Sequence, residues 1–311
     1  MSQHPLIAVS CRLDEAADRL LAEGAAHCEI SHEPSAISKA VIAFGQPDVQ
    51  GILENPALRW VQVSSAGYTN YDTDEMRATL TARGATMTNS SWVFAEPCAQ
   101  HAAAMMLGLA RQLPQAHSDQ ANGVWHDSMR RRESFLLAGQ RVALLGYGAI
   151  GTRLAEILMP FNLEITAFRR RPRGDEAVPV VTVSKLADAV AQADHVVNLL
   201  PESDATRGFV SRDLFASFKP GARYYAIGRG ATTDQDALLD ALNSSQLSAA
   251  YLDVTTPEPL PENHPLWTAP NCFITPHSAG GHAGEHIRLA EHFLRNLRAF
   301  ESGEPLADRV I

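Results

Sequence analysis

The sequence has little cysteine, no excess of positive charge and no long hydrophobic run. Its four cysteines lack the spacing of a metal site, so we expect reduced thiols, a cytoplasmic location and no metal. The net charge of −9 argues against broad nucleic-acid binding and against docking to an acidic membrane surface. The most apolar stretch, residues 101–110, is too short to span a bilayer. The first residues lack a charged segment followed by an apolar core, so we expect no signal peptide.

The composition is that of an ordinary globular protein, and the 311 residues predict two domains. Residues 1–90 alternate strand and helix patterns and predict a small α/β unit. Residues 142–275 repeat the alternation with nearly continuous apolar strands, which predicts a parallel sheet covered on both faces. A long helix is predicted over 95–116, and a last helix over 284–302 is expected to return to the first domain. The predicted domains are residues 1–97 with 284–311, and residues 98–283.

A glycine-rich turn follows the first strand of the second region. The run Arg141–Leu145 has the pattern of a buried strand, and a helix pattern begins directly after the turn. This is the dinucleotide-binding fingerprint in the context that it requires. The first glycine permits a tight turn, the second lets a pyrophosphate approach the backbone, and the third lets helix and strand pack closely. The turn predicts these coenzyme contacts: Gly146, Tyr147, Gly148, Ala149, Ile150 and Gly151.

Arginines stand where a chain that binds NAD normally has an acid. The next predicted strand, 163–168, is followed by Arg169-Arg170-Arg171-Pro172-Arg173. An acid at this position would bond the ribose 2′-hydroxyl, whereas guanidinium groups suit a 2′-phosphate. The sequence therefore predicts NADP(H) as the preferred cofactor, with NAD(H) as the alternative. Arg169 and Arg170 are the predicted phosphate-binding residues.

Three segments that follow predicted strands of the second region contain Arg229, Glu258 and His277. In open α/β sheets, ligands bind beyond such strand ends. Hydride transfer at a hydroxyl-bearing carbon needs an acid/base, and histidine titrates in the range that suits both directions. A neighbouring carboxylate favours the imidazolium form, and an arginine can bind a substrate carboxylate. Each residue alone is typical of an ordinary loop, but together, downstream of the fingerprint, they predict the catalytic set Arg229, Glu258 and His277.

Over most of its length the chain resembles the D-isomer-specific 2-hydroxyacid dehydrogenases, in particular NADP-type glyoxylate/hydroxypyruvate reductases. The motifs that carry the resemblance are residues 60–67, 95–102, 146–151, 218–222, 227–230, 252–254, 258–261, 264–267 and 275–277. The resemblance implies two α/β domains with parallel sheets, Rossmann-like and flavodoxin-like, and an active site in the interdomain cleft. It also implies a homodimer formed largely through the cofactor domains.

The resemblance further implies a role for each matched residue. His277 would be the acid/base, Glu258 would pair with it, and Arg229 would bind the substrate carboxylate and orient the keto group. Asp253 would hold the nicotinamide carboxamide. Backbone N–H groups of the first domain would bind the same carboxylate at Ser65, Ala66 and Gly67. Further coenzyme contacts are expected at Leu200, Pro201, Ile227, Gly228 and Gly280.

Two departures leave the substrate open. Ala226 stands where many members have Asn, and Tyr68-Thr69-Asn70 stands where members often have Val-Asp. The leading hypothesis is an NADP(H)-preferring reductase of small 2-ketoacids of the glyoxylate or hydroxypyruvate kind. The alternatives are a formate or phosphoglycerate dehydrogenase, and a dinucleotide-sensing, corepressor-like binding protein of the same fold. Formate oxidation releases no hydroxyl proton, so a Glu258–His277 pair suits hydroxyacid chemistry better.

Overall fold

The computed structural model describes residues 4–311, which divide into two compact units, residues 4–94 with 281–311 and Ala95–Gly280. The strands are β1 (Leu6–Ser10), β2 (Glu29–Ser31), β3 (Ile42–Gly45), β4 (Trp60–Val63), β5 (Thr86–Thr88), β6 (Arg141–Leu145), β7 (Glu164–Phe168), β8 (Val180–Val181), β9 (His195–Asn198), β10 (Ala222–Ala226), β11 (Leu247–Leu252) and β12 (Cys272–Ile274). The helices are α1 (Glu15–Gly24), α2 (Val49–Glu54), α3 (Asp74–Ala82), α4 (Ser91–Ala110), α5 (Leu113–Ala121), α6 (Asp127–Glu133), α7 (Ala149–Leu158), α8 (Leu186–Val190), α9 (Arg212–Ala216), α10 (Gln235–Asn243) and α11 (Glu285–Ser302). The predicted division of substrate and cofactor between two domains stays a prediction.

The first unit is built on a parallel sheet with the strand order β2-β1-β3-β4-β5. This is the flavodoxin-like, doubly wound order. Strands β3 and β4 are buried throughout, and their side chains alternate between two apolar cores on opposite faces of the sheet. On one face Phe293 of α11 stacks on Phe44 and Trp60, with ring centroids 4.4 Å and 5.0 Å apart. The last helix therefore belongs to this unit, as its sequence pattern indicates.

The second unit has a parallel sheet in the order β12-β11-β10-β9-β6-β7-β8. Renumbered within the unit, this is the Rossmann order 3-2-1-4-5-6 with one further strand at the β12 edge. The order reverses between β6 and β9, where Leu145 pairs with Asn198. A ligand crevice is expected beyond the strand ends at this point. The prediction of two α/β units with parallel sheets is confirmed.

The bounds predicted for the long helix, residues 95 and 116, are both wrong. Helix α4 begins four residues earlier because its first N–H groups donate to the side chains of Asn89 and Asp308, at 3.1 Å and 2.7 Å. It ends at Ala110 because Gln112 takes a left-handed conformation with φ 57°, after which α5 starts. Asp308 is far away in the sequence, so a local pattern cannot reveal this cap. None of the helices in residues 4–311 combines the length and the apolar character that a membrane-crossing segment needs.

Candidate active site

The glycine-rich turn begins where β6 ends, and two of its glycines are required by close packing. Gly146 has φ 109°, and a Cβ on it would lie 3.2 Å from the carbonyl of Leu199. A Cβ on Gly151 would lie 2.6 Å from the Gly146 oxygen, so helix and turn pack without side chains between them. Gly148 is different, because a Cβ there would meet no described atom within 4 Å. It caps the start of α7 and leaves that helix end open.

The start of α7 has the features of an anion-binding site. The first N–H groups of a helix have no intrahelical acceptor, and the helix dipole adds a partial positive charge there. Ala149 and Ile150 form this first turn, and Tyr147 is buried just before it. On the neighbouring strands, a Cβ on Gly228 would lie 2.5 Å from the Leu200 oxygen, so the ends of β9 and β10 approach closely. The residues present therefore fit a dinucleotide.

The arginine loop after β7 contains an acid that the sequence analysis did not single out. Glu176 lies 3.6 Å from the Arg169 guanidinium, and its carboxylate accepts the N–H groups of Arg173 and Gly174 at 2.6 Å and 2.8 Å. These backbone hydrogen bonds, with the Arg169 charge, lower the pKa of Glu176. Arg169 is half-buried and Arg170 is exposed. The Glu176 carboxylate therefore bonds the backbone of its own loop and lies beside the Arg169 guanidinium.

Arg229 begins a turn that is fixed by buried polar residues. Its carbonyl accepts the hydroxyl of Thr232 at 2.7 Å. Asn198, at the end of β9, donates to the hydroxyls of Thr232 and Tyr224 at 2.8 Å each and accepts the Leu200 N–H at 3.1 Å. One buried amide therefore positions both the Arg229 turn and the turn at Leu200. The available sequence signal was a polar residue, Asn198, directly after the apolar pair Val196-Val197 at the end of the strand.

Gly230, next to Arg229, contacts the backbone of the following strand-end loop. A Cβ on Gly230 would lie 1.9 Å from the carbonyl oxygen of Thr255. We predict that Gly230→Ala lowers the free energy of unfolding by about 1–3 kcal/mol, the usual range for overpacking, measured by urea denaturation. Gly148→Ala is the matched control and should change stability by less than about 0.5 kcal/mol, because nothing described crowds that site. Equal stability of the two variants would contradict this packing.

Asp253 follows β11, is buried, and accepts several hydrogen bonds. Its carboxylate accepts the Thr275 hydroxyl at 2.7 Å and the N–H groups of Ser278 and Ala279 at 2.9 Å and 3.0 Å. His101 of α4 lies 3.7 Å from the same carboxylate, and burial lowers the pKa of this histidine although Asp253 opposes the shift. The Asp253 side chain thereby fixes the turn that follows β12, where Gly280 is also found.

His277 and Glu258 form a direct pair in the structure. The His277 Nδ1 and a Glu258 carboxylate oxygen are 2.7 Å apart, and the other carboxylate oxygen accepts the Thr255 N–H at 3.0 Å. His277 has φ 50°, a left-handed conformation that is uncommon outside glycine, and its N–H donates to the Asp253 carbonyl at 2.8 Å. Nδ1 is engaged by Glu258, so the Nε2 side of the ring, which has no partner among residues 4–311, is the side that a ligand can meet.

A chain of contacts connects the three predicted catalytic residues, Arg229, Glu258 and His277. Gly230 packs on Thr255, Thr255 bonds Glu258, and Glu258 bonds His277. The three loops follow the carboxyl ends of β10, β11 and β12. Because these strands are parallel neighbours, the loops lie side by side at the same end of the strands. The structure therefore brings the Arg229 turn to the Glu258–His277 pair.

The predicted carboxylate-binding loop of the first unit has its own geometry. The carbonyls of Ser65 and Ala66 accept hydrogen bonds from the N–H of Ser90, at 3.0 Å, and the side chain of Asn89, at 2.7 Å. The N–H groups of Ser65, Ala66 and Gly67 have no acceptor among the described residues. Adjacent free backbone donors are a feature that anion-binding loops share. Tyr68 packs against the core of this unit, so it does not project freely from the loop.

The comparisons with known proteins show the family. Residues 103–279 match the family profile described as "D-isomer specific 2-hydroxyacid dehydrogenase, NAD binding domain". The human glyoxylate reductase/hydroxypyruvate reductase is 34% identical over 261 residues, which cover 81% of this chain and 77% of the human protein. The chain belongs to the D-isomer specific 2-hydroxyacid dehydrogenase family, and it is an NAD(P)-dependent oxidoreductase of 2-hydroxyacids.

Solved structures are similar over nearly the whole chain. The NADPH-dependent glyoxylate/hydroxypyruvate reductase of Sinorhizobium meliloti, solved with NADP and malonate, is 26% identical with a TM-score of 0.74, covering 99% of this chain and 97% of that one. A D-isomer specific 2-hydroxyacid dehydrogenase of Xanthobacter autotrophicus, solved with NADPH, has a TM-score of 0.84 and covers 100% of this chain and 98% of that one. At 24% identity, the second likeness shows the fold alone.

Proposed function

We propose that this protein is an NADP(H)-preferring reductase of small 2-ketoacids of the glyoxylate or hydroxypyruvate type. The observation that carries the proposal is the His277–Glu258 pair, connected through Thr255 to the turn of Arg229. The two relatives named above whose identity exceeds 25% are reductases of these ketoacids.

His277 supplies the proton in the proposed reaction. The bound nicotinamide coenzyme supplies the hydride to C2 of the ketoacid. His277 donates its Nε2 proton to the keto oxygen, so that ketoacid, hydride and proton give the 2-hydroxyacid. Glu258 accepts from Nδ1, which fixes the ring and leaves Nε2 to face the keto oxygen. In the oxidative direction the same Nε2 takes the hydroxyl proton.

Arg229 and the 65–67 loop bind the substrate carboxylate in this scheme. Arg229 offers a bidentate guanidinium, which also polarises the adjacent keto group. The first unit contributes the free N–H groups of Ser65, Ala66 and Gly67. Loss of either group is expected to raise the ketoacid KM more than the coenzyme KM.

We propose that the Asp253 carboxylate uses one further hydrogen-bond acceptor site for the coenzyme. A carboxylate has about four acceptor sites, two on each oxygen. Oδ1 accepts from Thr275 and Ser278, whereas Oδ2 accepts only from Ala279. The remaining site on Oδ2 suits the amide N–H of the nicotinamide carboxamide. We assign the other coenzyme contacts to Gly146, Tyr147, Gly148, Ala149, Ile150, Gly151, Arg169, Arg170, Leu200, Pro201, Ile227, Gly228 and Gly280.

The experiment is a coenzyme oxidation assay with NADPH and NADH in parallel, across glyoxylate, hydroxypyruvate, pyruvate and phenylpyruvate. We expect turnover of glyoxylate, which bears an aldehyde, and of hydroxypyruvate, which bears a hydroxyl, and faster turnover with NADPH. Turnover with NADH alone would keep the reductase and remove the phosphate-binding role of the arginines. Formate or 3-phosphoglycerate oxidation without ketoacid reduction would favour the other dehydrogenases. Coenzyme binding without turnover of any of these substrates would favour the dinucleotide sensor.

We also propose that the enzyme is a homodimer. The segment from α5 to α6 and its flanks exposes large apolar side chains, of which Trp125 is 91% and Leu136 is 71% exposed. Exposed apolar clusters of this kind mark protein interfaces. Analytical ultracentrifugation should show twice the monomer mass, and the double variant Trp125→Ser/Leu136→Ser should sediment as a monomer. Trp267→Ser, an exposed tryptophan outside this segment, should stay dimeric. A monomeric wild type would contradict the proposed homodimer.

The predicted cytoplasmic location is a separate proposal, which cell fractionation would test.

A further inference from the structure

Three metal-binding side chains converge in the first unit, away from the residues assigned above. His27 and Cys28 lie in the turn before β2, and Glu301 lies in the last turn of α11. One donor atom from each, a ring nitrogen, the thiol sulfur and a carboxylate oxygen, lies within 4.8 Å of the other two. The sequence analysis found no metal-ligand spacing because these residues come from opposite ends of the chain.

The fold holds the backbone of these residues in place. The Cys28 N–H donates to the carbonyl of Ala25 at the end of α1, at 2.8 Å, and Glu29 then enters β2. The imidazole of His4 bonds the carbonyl of His27. Helix α11 packs along α1 in the same apolar core, with Leu294, Phe293 and Leu297 among the buried residues. Both donor-bearing segments are therefore attached to packed elements.

The donor set is selective. Imidazole, thiolate and carboxylate are the ligands that Zn²⁺ uses, at about 2.0–2.3 Å from the metal. Tetrahedral ligands at these distances lie roughly 3–4 Å apart, which the three donors reach by side-chain rotation. A thiolate and an imidazole disfavour Mg²⁺ and Ca²⁺, which prefer oxygen ligands. A fully solvated carboxylate cluster would show no such selectivity.

We propose that His27, Cys28 and Glu301 form a binding site for Zn²⁺ or a similar borderline-soft divalent ion. His27 and Glu301 already form a hydrogen-bonded pair, and the ion takes the place of their shared proton. The thiol of Cys28 gives up its proton and becomes the third protein ligand. Water occupies the fourth position, since His27 and Glu301 are 53% and 38% exposed. The site connects the α1–β2 turn to the end of α11 and thereby reinforces the first unit.

Cobalt is the probe, because a thiolate bound to Co²⁺ gives a ligand-to-metal charge-transfer band. Metal-free full-length protein is titrated with CoCl₂, and saturation at one ion per chain with this band is expected. Added ZnCl₂ should abolish the band, and the midpoint of thermal unfolding should rise with ZnCl₂ concentration. None of these readouts depends on ketoacid reduction, so failure here is separable from failure of the proposed function.

Variants identify the ligands. Cys28→Ser should remove the charge-transfer band, and His27→Gln and Glu301→Gln should each weaken Co²⁺ binding at least about tenfold, since even outer-shell changes at metal sites cost that much. Cys11→Ser, a partly buried thiol in the same unit, and Glu291→Gln, an exposed acid on the same helix, are the matched controls. A band that persists in Cys28→Ser, a band lost in Cys11→Ser, or no saturable binding would each overturn the site. The last outcome would leave His27 and Glu301 as a surface ion pair.

Discussion

His277→Asn is expected to reduce kcat for ketoacid reduction by about 10²–10⁴-fold, the usual contribution of a general acid. In the proposed reaction the imidazole gives its Nε2 proton to the keto oxygen, and asparagine has no group that can do so. The affinity for NADPH, measured by fluorescence titration, should stay within about twofold, since less than 0.5 kcal/mol is expected where no coenzyme contact is removed. The two measurements together separate loss of chemistry from loss of the site.

Asparagine is chosen for the backbone of this position. His277 has φ 50°, and asparagine adopts the left-handed region more readily than alanine does. The N–H of residue 277 can therefore keep its hydrogen bond to the Asp253 carbonyl, at 2.8 Å in the structure. An alanine variant would combine removal of the imidazole with strain in the turn. The asparagine variant changes the side chain alone.

Two further variants sharpen the result. Glu258→Gln keeps a hydrogen-bond acceptor for Nδ1 but removes the carboxylate charge beside the ring, so kcat should fall less than in His277→Asn. His264→Asn is the matched control, because His264 lies in the same unit and its ring accepts the Leu266 N–H at 3.3 Å, a bond that the asparagine oxygen can also accept. It should retain wild-type kcat. Wild-type turnover in His277→Asn would remove His277 from the reaction, and equal losses in both histidine variants would indicate general damage.

The sheets could be predicted from the sequence because burial in a parallel sheet is a local property. Most residues of a strand covered on both faces are apolar, so β3, β4 and β6 stand out as short, mostly apolar runs. The glycine-rich turn is also local, because Gly146 and Gly151 are dictated by packing within a few residues and against the adjacent strand. Strand-end loops of neighbouring parallel strands meet by topology, which allows the contact between His277 and Glu258 that the family resemblance implies.

Features that depend on distant partners could not be predicted. Helix α4 starts at Ser91 because Asp308, near the other end of the sequence, accepts a hydrogen bond from its first turn. The buried hydrogen bonds of Asn198 reach residues of β10 and the turn after it. Glu176 does not stand out in the sequence because its acceptor role depends on how the loop folds. In each case the sequence shows the residue but not the group that it meets.

Arg169→Asp is expected to reverse the coenzyme preference. Hydrogen bonds between charged groups contribute about 1.5–3 kcal/mol each, so loss of the guanidinium should raise the KM for NADPH by about 10–100-fold. The new carboxylate would repel a 2′-phosphate but accept a hydrogen bond from a ribose 2′-hydroxyl, so the KM for NADH should fall. The measurement is kcat/KM for both coenzymes at a saturating concentration of the best ketoacid.

The Arg169→Asp test needs a control in the same loop, because Glu176 of this loop also contacts Arg169. Glu176 lies 3.6 Å from Arg169, so the guanidinium is shared between this carboxylate and any bound phosphate. Glu176→Gln would remove that competition, but its amide nitrogen replaces one of the two oxygens that accept the N–H groups of Arg173 and Gly174, so the loop would change as well. Arg171→Asp makes the same charge change on an exposed residue of the loop and serves as the control. A similar rise in the NADPH KM in Arg171→Asp and Arg169→Asp would mean that the loop attracts the phosphate by net charge. A rise confined to Arg169→Asp would identify a direct contact with the 2′-phosphate.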